Sequence, residues 1–227
     1  MAKHGKKYRS IKAKAPAAPV SIEEALDFIK SNPAAKFDET IEVAMRLGSD
    51  PAKSDQAVRG TVSLPNGSGK NMRVIVFAAG AQAEVAKAAG AEAVGFEDLI
   101  EKVKSGWTEF DVAISTTDAM KEVRKLGRVL GPRGLMPNPK TGTVTDDVGP
   151  AVVAAKGGKV EFRMDRTGNL AVLCGKRSFE TAKLAENIQA IIEAVRAEKP
   201  SSAKGQFIRS CTLSSTMGVG VKVVIKE

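Results

Sequence analysis

The sequence predicts a two-domain α/β protein, in which a split antiparallel α+β domain is interrupted by an inserted Rossmann-like α/β domain. The chain has 227 residues, more than the roughly 100–150 of a common single domain. Apolar and polar residues alternate near both chain ends, as in strands with one exposed face. The middle instead alternates buried strands with helices. We expect residues 1–67 and 159–227 to form the split domain and residues 68–158 the insert. The glycine-rich linkers Pro65–Lys70 and Lys156–Lys159 are expected to act as a hinge.

The segment before the insert predicts one helix and two strands. Ser21 is a suitable N-cap, and Glu24 completes a capping box with it. The Asn-Pro pair at 32–33 ends this helix. Alternating apolar residues over Thr40–Arg46 predict a half-buried strand, and Val58–Leu64 predicts a second one that stops at a Pro-Asn-Gly turn.

The insert begins with an apolar run, Met72–Ala78, which predicts a strand buried on both faces of a parallel sheet. The elements that follow are a helix at Ala81–Ala89, a short strand at Ala93–Val94, a helix at Phe96–Lys104 and a strand at Asp111–Ser115. This alternation of strand and helix predicts a small Rossmann-like layer domain that runs to about residue 158.

Alternation returns after the insert. Val160–Asp165 and Asn169–Leu173 predict two strands, and Ser178 is expected to cap a long amphipathic helix. Two final strands, Gln206–Ser214 and Val219–Ile225, are joined by a tight turn. The strands on either side of the insert can pair only with each other, which is why we expect one split domain.

Positive charge is concentrated at the N-terminus. The net charge is +9, and Met1–Lys14 contributes six Lys and Arg side chains without an acid. This segment predicts a flexible basic arm, and the overall charge indicates a polyanionic partner. Such an arm is either a solvated tail or a segment that binds phosphate, and the sequence leaves both open.

The sequence lacks the residues that a zinc site, a Ser-His pair, a phosphate loop or a membrane helix would need. His4 is the only histidine, and Cys174 and Cys211 are the only cysteines, so we expect buried free thiols and neither a zinc site nor a Ser-His pair. Pro139 stands where a Walker-type phosphate loop needs its second glycine.

The longest apolar runs fall far short of the roughly 18 residues of a membrane helix. We therefore expect no enzyme, cofactor, metal or membrane contact. A nucleotide-dependent enzyme and a scaffold without nucleic acid remain as alternatives.

Small hydroxyl groups and a few cations line the predicted strand surfaces. Ser210 and Thr212 alternate with apolar residues in the strand at 206–214, while Thr40 and Arg163 take polar positions in their own strands. Aromatic residues make up only 4% of the chain, so a broad stacking platform is not expected. Hydroxyls and cations of this kind suit hydrogen bonding to the sugar and phosphate of a folded RNA.

Two apolar side chains occupy unusual positions. Met217 lies in the turn between the last two strands and either folds back over the sheet edge or projects from the turn. Phe37 lies just ahead of the first strand and either packs on the first helix or is exposed to a base or ribose.

Four segments have a distinctive sequence. Lys125–Val144 reads KLGRVLGPRGLMPNPKTGTV, and the others are Lys36–Asp50, Arg59–Gly67 and Ser215–Gly220. Together they resemble the L-one family of bacterial large-subunit ribosomal proteins, over the whole length of the chain. The resemblance implies the same architecture of a split domain with a Rossmann-like insert.

This resemblance also implies a function. Members of the family bind the 23S rRNA stalk near the tRNA exit site, help deacylated tRNA to leave, and repress their own operon by binding an mRNA site that mimics the rRNA. For this chain it implies three partners, namely 23S rRNA, own-operon mRNA and deacylated tRNA. It further implies a cytoplasmic, ribosome-associated location and a monomer outside the ribosome. The Lys125–Val144 segment would face tRNA or the split domain.

The RNA site implied by the resemblance lies on the split domain. The matching positions are Lys36, Phe37, Thr40, Ser210, Thr212, Thr216, Met217 and Gly218, with Arg163 and Arg166 as further additions. Thr216 and Ser210 would hydrogen-bond 2′-hydroxyls or base edges, and Met217 and Phe37 would pack on ribose or bases. Gly218 would allow close approach of the RNA and supply a positive φ. The lysine and the basic arm would neutralise phosphates.

Overall fold

The structure, a computed structural model, describes residues 5–51, 53–203 and 205–225. Its contacts divide the chain into two compact units. The split unit comprises Met1–Gly69 and Val160–Glu227, and the inserted unit comprises Lys70–Lys159. Both units combine helices with strands, which confirms the predicted α/β class.

Short helices and strands alternate along the described residues. The helices are α1 (Lys6–Lys14), α2 (Ile22–Ser31), α3 (Ala81–Ala88), α4 (Glu97–Lys104), α5 (Met120–Val123), α6 (Gly127–Leu130), α7 (Val148–Lys156) and α8 (Thr181–Ala197). The strands are β1 (Thr40–Leu47), β2 (Arg59–Ser63), β3 (Val74–Phe77), β4 (Ala93–Gly95), β5 (Val112–Ser115), β6 (Lys159–Arg163), β7 (Asn169–Lys176), β8 (Ile208–Ser215) and β9 (Val221–Val223).

The split unit is built on an antiparallel sheet with the strand order β7-β1-β8-β9. In its centre, Val43 of β1 lies opposite Val172 of β7 and Leu213 of β8. Helices α2 and α8 pack against one face of this sheet, where Leu26 and Ile188 are fully buried. Alternate residues of β1 point into that core, and those between them remain partly or fully exposed. The sheet therefore has one covered face and one face available to a partner.

Local sequence signals determine where α2 begins but not where α8 begins. The predicted capping box is confirmed, since Ser21 Oγ accepts from the Glu24 N–H and Glu24 Oε2 accepts from the Ser21 N–H, both at 3.2 Å. The prediction that Ser178 caps α8 is wrong, because the N-cap is Glu180. Ser178 instead donates from its N–H and its hydroxyl to the Asp38 carboxylate, at 3.1 and 2.8 Å. Asp38 is remote in sequence, so local pattern cannot detect this competition.

The N-terminal segment differs from the flexible arm expected over residues 1–14. Residues 6–14 form α1, in which Ile11 is only 8% exposed. The Lys7 ammonium also donates a hydrogen bond to the Ala34 carbonyl at 3.1 Å. A single apolar residue among many cations gives almost no amphipathic signal, so the helix was not predictable from periodicity. Residues 1–4, which include the only histidine, lie outside the described residues.

Strands β2 and β6 form a two-stranded sheet at the junction with the insert. The Met164 N–H donates to the Val58 carbonyl at 2.9 Å, and the ion pair between Arg59 and Glu161 spans 2.6 Å. The chain thus leaves the split unit beside the strand on which it returns. An insertion at this point does not require the flanking segments to separate.

The inserted unit contains a parallel sheet with the order β4-β3-β5. All four residues of β3 are buried, as the apolar run predicts. Ile75 and Phe77 pack on one side with residues of α4, α5 and α6, whereas Val74 and Val76 pack on the other with residues of α3 and α7. Helices on both faces of a parallel sheet confirm the Rossmann-like layer.

Candidate nucleic-acid interface

The uncovered face of the antiparallel sheet, which we call the open face, is mainly polar. Residues opposite one another on neighbouring strands share a face, and the strand register aligns them in rows. The open face comprises Thr40, Glu42, Ala44 and Arg46 of β1, Asn169, Ala171, Leu173 and Lys176 of β7, Ser210, Thr212 and Ser214 of β8, and Lys222 of β9. It combines hydroxyls with three cations and one carboxylate.

The hydroxyl groups of β8 provide free hydrogen-bonding capacity on this face. In the part of the chain that the structure describes, the side chains of Ser210 and Thr212 have no hydrogen-bond partner, and Ser210 is exposed. Ser214 differs, because its hydroxyl donates to Glu42 Oε1 at 3.2 Å. Each free hydroxyl can donate one hydrogen bond and accept two.

The turn after β8 is fixed against the start of β1. Thr216 Oγ1 accepts from the Thr40 N–H at 3.1 Å and donates to the Thr40 carbonyl at 3.3 Å. The Thr216 N–H donates to the same carbonyl at 3.1 Å, and Lys176 Nζ donates to Thr40 Oγ1 at 3.0 Å. The Thr216 hydroxyl, expected to be available for RNA, is thus already engaged and retains one acceptor position.

Space, and not backbone conformation, favours a glycine at position 218. Its φ lies outside the positive region, so the expected positive φ is wrong. Instead, a Cβ at this position would lie 2.3 Å from Ser215 Oγ, far closer than atoms can approach. The Gly218 N–H donates to the Ser215 carbonyl at 2.9 Å, which closes the turn.

Both apolar side chains of this region are exposed. Met217 is 58% and Phe37 53% exposed, so neither is folded into the core. Lys36 is exposed beside Phe37. Exposed apolar groups near the start of β1, a lysine beside Phe37 and the hydroxyls further along the open face can contact ribose or a base as well as phosphate.

Four further residues at this end of the sheet, Glu39, Lys176, Arg177 and Ser215, were not predicted as part of the site. Glu39 is fully buried, and its Oε2 lies 3.3 Å from both Arg177 Nη1 and Ser215 Oγ. Lys176, as noted above, binds Thr40. The sequence-based prediction missed Lys176 and Arg177 because it ended this strand at residue 173. The strand β7 continues to Lys176, since it pairs with Thr40–Arg46 of β1. Such pairing would have placed Lys176 and Arg177 beside the turn.

The two expected arginines lie elsewhere on the split unit. Arg163 is exposed on β6, in the two-stranded sheet, and Arg166 is exposed in the turn that precedes β7. Asn169, which begins β7, lies opposite Arg46. Arg46 is six positions along β1 from Thr40, a length of about 20 Å along a strand. The structure therefore places neither Arg166 nor Ser210, which lies opposite Arg46, beside the turn at 215–218.

The pKa shifts in the split unit have structural causes. Backbone N–H donation from Asn169, with a hydrogen bond from Thr167, lowers the pKa of Asp165 and stabilises a turn. Burial raises the pKa of the Cys211 thiol to about 11 and also raises that of Cys174. Both thiols are free and buried.

The described residues contain no group of three or more His, Cys, Asp or Glu side chains that could hold a metal ion. No helix within them has the length and apolar character needed to cross a membrane.

Comparison with known proteins gives one consistent result. The chain is 51% identical over 228 residues to "Large ribosomal subunit protein uL1" of Protochlamydia amoebophila (strain UWE25), covering 100% of this chain and 97% of that protein. The protein of the same name from Chlamydia pneumoniae is 51% identical over 228 residues, covering 100% and 98%. That of Corynebacterium glutamicum (strain R) is 53% identical over 224 residues, covering 98% and 95%. Residues 29–219 match the model of the Ribosomal protein L1p/L10e family, and the chain belongs to this family of ribosomal proteins.

Proposed function

We propose that the protein is a non-enzymatic structural component of the large ribosomal subunit that binds the 23S rRNA stalk near the tRNA exit site. The observation that carries this proposal is the open face with its adjoining turn. Free hydroxyls and exposed cations lie along this uncovered face, exposed Met217 lies in the turn at the Thr40 end of β1, and exposed Phe37 lies just ahead of that strand. The relatives named above are large-subunit proteins that align with the whole of this chain.

Each group in the interface has a distinct task in this proposal. Ser210 and Thr212 hydrogen-bond 2′-hydroxyls or phosphates, because their hydroxyls have no competing protein partner. Phe37 and Met217 pack on ribose or bases. Lys36 and the cations of the open face neutralise phosphate, which increases affinity more than specificity.

The finer expectations concern mRNA, tRNA, location and oligomeric state, and they rest on the family resemblance. An mRNA segment of the chain's own operon that adopts the rRNA shape would compete for the open face, and the chain would thereby act as a translational repressor. Deacylated tRNA would be assisted in leaving the exit site. The protein would be cytoplasmic and ribosome-associated, and monomeric outside the ribosome, which light scattering can check.

The test is binding to a stalk rRNA fragment at several salt concentrations. We expect Ser210→Ala and Thr212→Val each to weaken affinity about tenfold, because RNA groups lose a buried hydrogen-bond partner. Ser63→Ala is the matched control, since Ser63 is an exposed strand serine of the two-stranded sheet. Wild-type affinity for both open-face variants, or binding of an unrelated hairpin as tightly as the stalk fragment, would contradict the proposal.

Competition experiments test the finer roles. Own-operon leader mRNA should displace the labelled stalk fragment, and Thr212→Val should weaken both complexes to a similar extent. Deacylated tRNA release is measured on ribosomes with and without the protein. Leader mRNA that binds without displacing the fragment would argue against a shared surface.

A further inference from the structure

Glu39 is a charged residue in a fully buried position at the edge of the interface. Its side chain is 0% exposed, one residue ahead of β1. Moving a carboxylate out of water is unfavourable unless hydrogen bonds and opposite charge compensate. Oε1 has no hydrogen-bond partner among the described residues. The groups that bind Oε2 must therefore offset the unfavourable burial of the Glu39 carboxylate.

Oε2 joins two segments that end at the interface. It accepts from Arg177 Nη1 and from Ser215 Oγ, each at 3.3 Å. Arg177 follows β7 directly, and its own N–H donates to the Glu39 carbonyl at 2.8 Å. Ser215 is the last residue of β8 and is 5% exposed. One buried carboxylate thus links the end of β7 to the start of the turn.

The hydroxyl of Ser215 also determines which residue position 218 can accept. The nearest atom to a Cβ at Gly218 would be Ser215 Oγ at 2.3 Å, whereas Ser215 Cβ would be 3.5 Å away, an ordinary contact. A side chain at 218 would therefore displace the Ser215 hydroxyl from its position beside Glu39. The glycine leaves room for the hydrogen bond between Ser215 and Glu39.

We propose that Glu39 is a positioning residue of the RNA site: its buried carboxylate holds Ser215 and Arg177, and through them fixes the turn that carries Thr216, Met217 and Gly218. This inference rests on the proposed function. Glu39 itself does not touch RNA, because it is fully buried. It acts through Ser215 on the turn and through Arg177, whose side chain is 22% exposed, at the neighbouring strand end.

A purely stabilising role accounts less well for the same arrangement. Replacing a buried ion pair with apolar residues of similar volume is often neutral or stabilising. A buried charge with one unpartnered oxygen is therefore not an effective way to stabilise the fold. Its two hydrogen bonds do, however, define one geometry for the segments it joins, and a binding surface requires that geometry.

The first test uses the full chain and the stalk rRNA fragment, at a temperature where circular dichroism shows every variant to be folded. We expect Glu39→Gln and Ser215→Ala each to weaken affinity about tenfold. The double variant should bind no more weakly than the weaker single variant, because Glu39→Gln weakens the hydrogen bond that Ser215→Ala removes. The control is Asn187→Ala, which removes another fully buried polar side chain that joins segments of the split unit. It should lower the melting temperature without changing the affinity of the folded chain.

A second readout does not require RNA. The N–H groups of Thr216 and Gly218 donate to the Thr40 and Ser215 carbonyls. Their hydrogen exchange should become faster in Glu39→Gln and remain at the wild-type rate in Asn187→Ala. Unchanged exchange in Glu39→Gln would overturn the claim that the carboxylate fixes the turn.

A rescue experiment tests the link to Gly218. Gly218→Ala should lower both the melting temperature and the RNA affinity. Adding Ser215→Ala should restore the melting temperature to that of Ser215→Ala alone, because the colliding oxygen is gone, but should not restore wild-type affinity. A double variant as unstable as Gly218→Ala would overturn the assigned role of the Ser215 hydroxyl.

The outcomes separate this inference from the proposed function. A wild-type chain that binds the stalk fragment, together with a Glu39→Gln variant that binds it equally well, would overturn the positioning role alone. Additive losses in the double variant would do the same. A wild-type chain that binds no stalk RNA would overturn the proposed function and, with it, the RNA role of Glu39.

Discussion

At the scale of single residues, the hydroxyls of the interface belong to two kinds. Those of Ser210 and Thr212 have no partner among the described residues, so their removal costs the free protein little. The hydroxyl of Thr216 both accepts from and donates to the backbone of Thr40. It therefore contributes to the geometry of the turn before any RNA is bound, and its removal affects stability and binding together.

Thr216→Val tests this effect of the hydroxyl on both stability and RNA binding. The change preserves the shape of the side chain but leaves the Thr40 N–H without its side-chain acceptor. We expect the free energy of unfolding to fall by about 0.5–1.5 kcal/mol, measured by urea denaturation, and stalk-RNA affinity to fall as well. Thr216→Ser is the control that keeps the hydroxyl and should behave nearly as the wild type. A Thr216→Val variant of wild-type stability would show that the hydrogen bonds to Thr40 contribute nothing measurable.

The cysteines allow a prediction that is independent of RNA. Burial raises the pKa of Cys211 to about 11 and raises that of Cys174, so the folded chain contains almost no thiolate at pH 8.5. An unfolded cysteine, with a pKa of about 8.5, is half ionised there. We expect iodoacetamide to leave the folded chain unmodified and to modify both cysteines in urea, as measured by mass spectrometry.

A raised folded-state pKa also has a consequence for stability. The contribution of the buried, protonated thiol to the free energy of unfolding is fully present below about pH 8.5, the pKa of an unfolded cysteine. This contribution is lost as the pH rises towards the folded pKa of about 11 for Cys211.

Ser63→Cys, with an exposed thiol, is the positive control for alkylation of the folded chain. Modification of Cys211 as fast as that of the control would contradict its burial.

Glu39 illustrates which site residues a sequence cannot reveal. An acid between Asp38 and Thr40 has the pattern of a surface residue, and its burial arises only when β7 and β8 come together on either side of β1. Met217 has an unusual local context, since it is an apolar residue in a tight turn, but the site as a set, with residues such as Ser210 and Thr212, is predicted from the strand pattern and the family resemblance. Glu39 carries neither signal, because its burial depends on tertiary pairing.

At the scale of elements, prediction succeeded where the signal is local. The start of α2 follows from the Ser21 and Glu24 side chains within one helical turn. The start of α8 does not, because Ser178 binds Asp38, 140 residues away in sequence. The strands of both units were located by the period of their apolar residues. Their ends shifted by a few residues where a partner strand extended the pairing, as in β7.

Helix α1 changes the expectation for the basic N-terminal segment. Because Ile11 is buried and Lys7 binds the Ala34 carbonyl, its cations project from a helix rather than a loose tail. Substituting Lys6, Lys12 and Lys14 with Gln should weaken binding of stalk rRNA and of unrelated RNA alike. The dependence of log affinity on log salt should become shallower, by up to about 0.9 per lost phosphate contact.

The control for α1 is Ile11→Ala, which disturbs the packing of the helix without removing charge. It should lower the melting temperature while keeping the salt dependence of RNA binding. If the lysine variant instead loses discrimination between stalk and unrelated RNA, then α1 recognises RNA shape rather than supplying charge.

At the scale of the whole molecule, the insertion follows from strand pairing. Strands β1 and β2 lie before the insert in sequence, and their partners β6, β7 and β8 lie after it. Neither flank can complete its sheet alone, which is why alternating patterns at both chain ends predicted a single split domain. Arg163 and Arg166 show the limit of that reasoning, since a residue can belong to the correct unit and still lie far from the turn.

The split unit should fold without the insert. We propose to join residues 1–67 to 159–227 through a short glycine linker, which retains the whole of β6 and its pairing with β2. All residues of its main core belong to these two segments, so we expect a cooperative thermal transition by circular dichroism. The fused chain should bind the stalk fragment with close to wild-type affinity, because the open face and the turn are intact.

The matched comparison is the inserted segment 68–158 alone, which should fold on its own parallel sheet and bind the stalk fragment weakly. An unfolded fusion would show that the domain boundary is misplaced or that the split unit depends on the insert. A folded fusion that binds much more weakly than the full chain would place the main RNA contacts on the insert. Because the two measurements are made on the same samples, loss of folding and loss of RNA contact can be told apart.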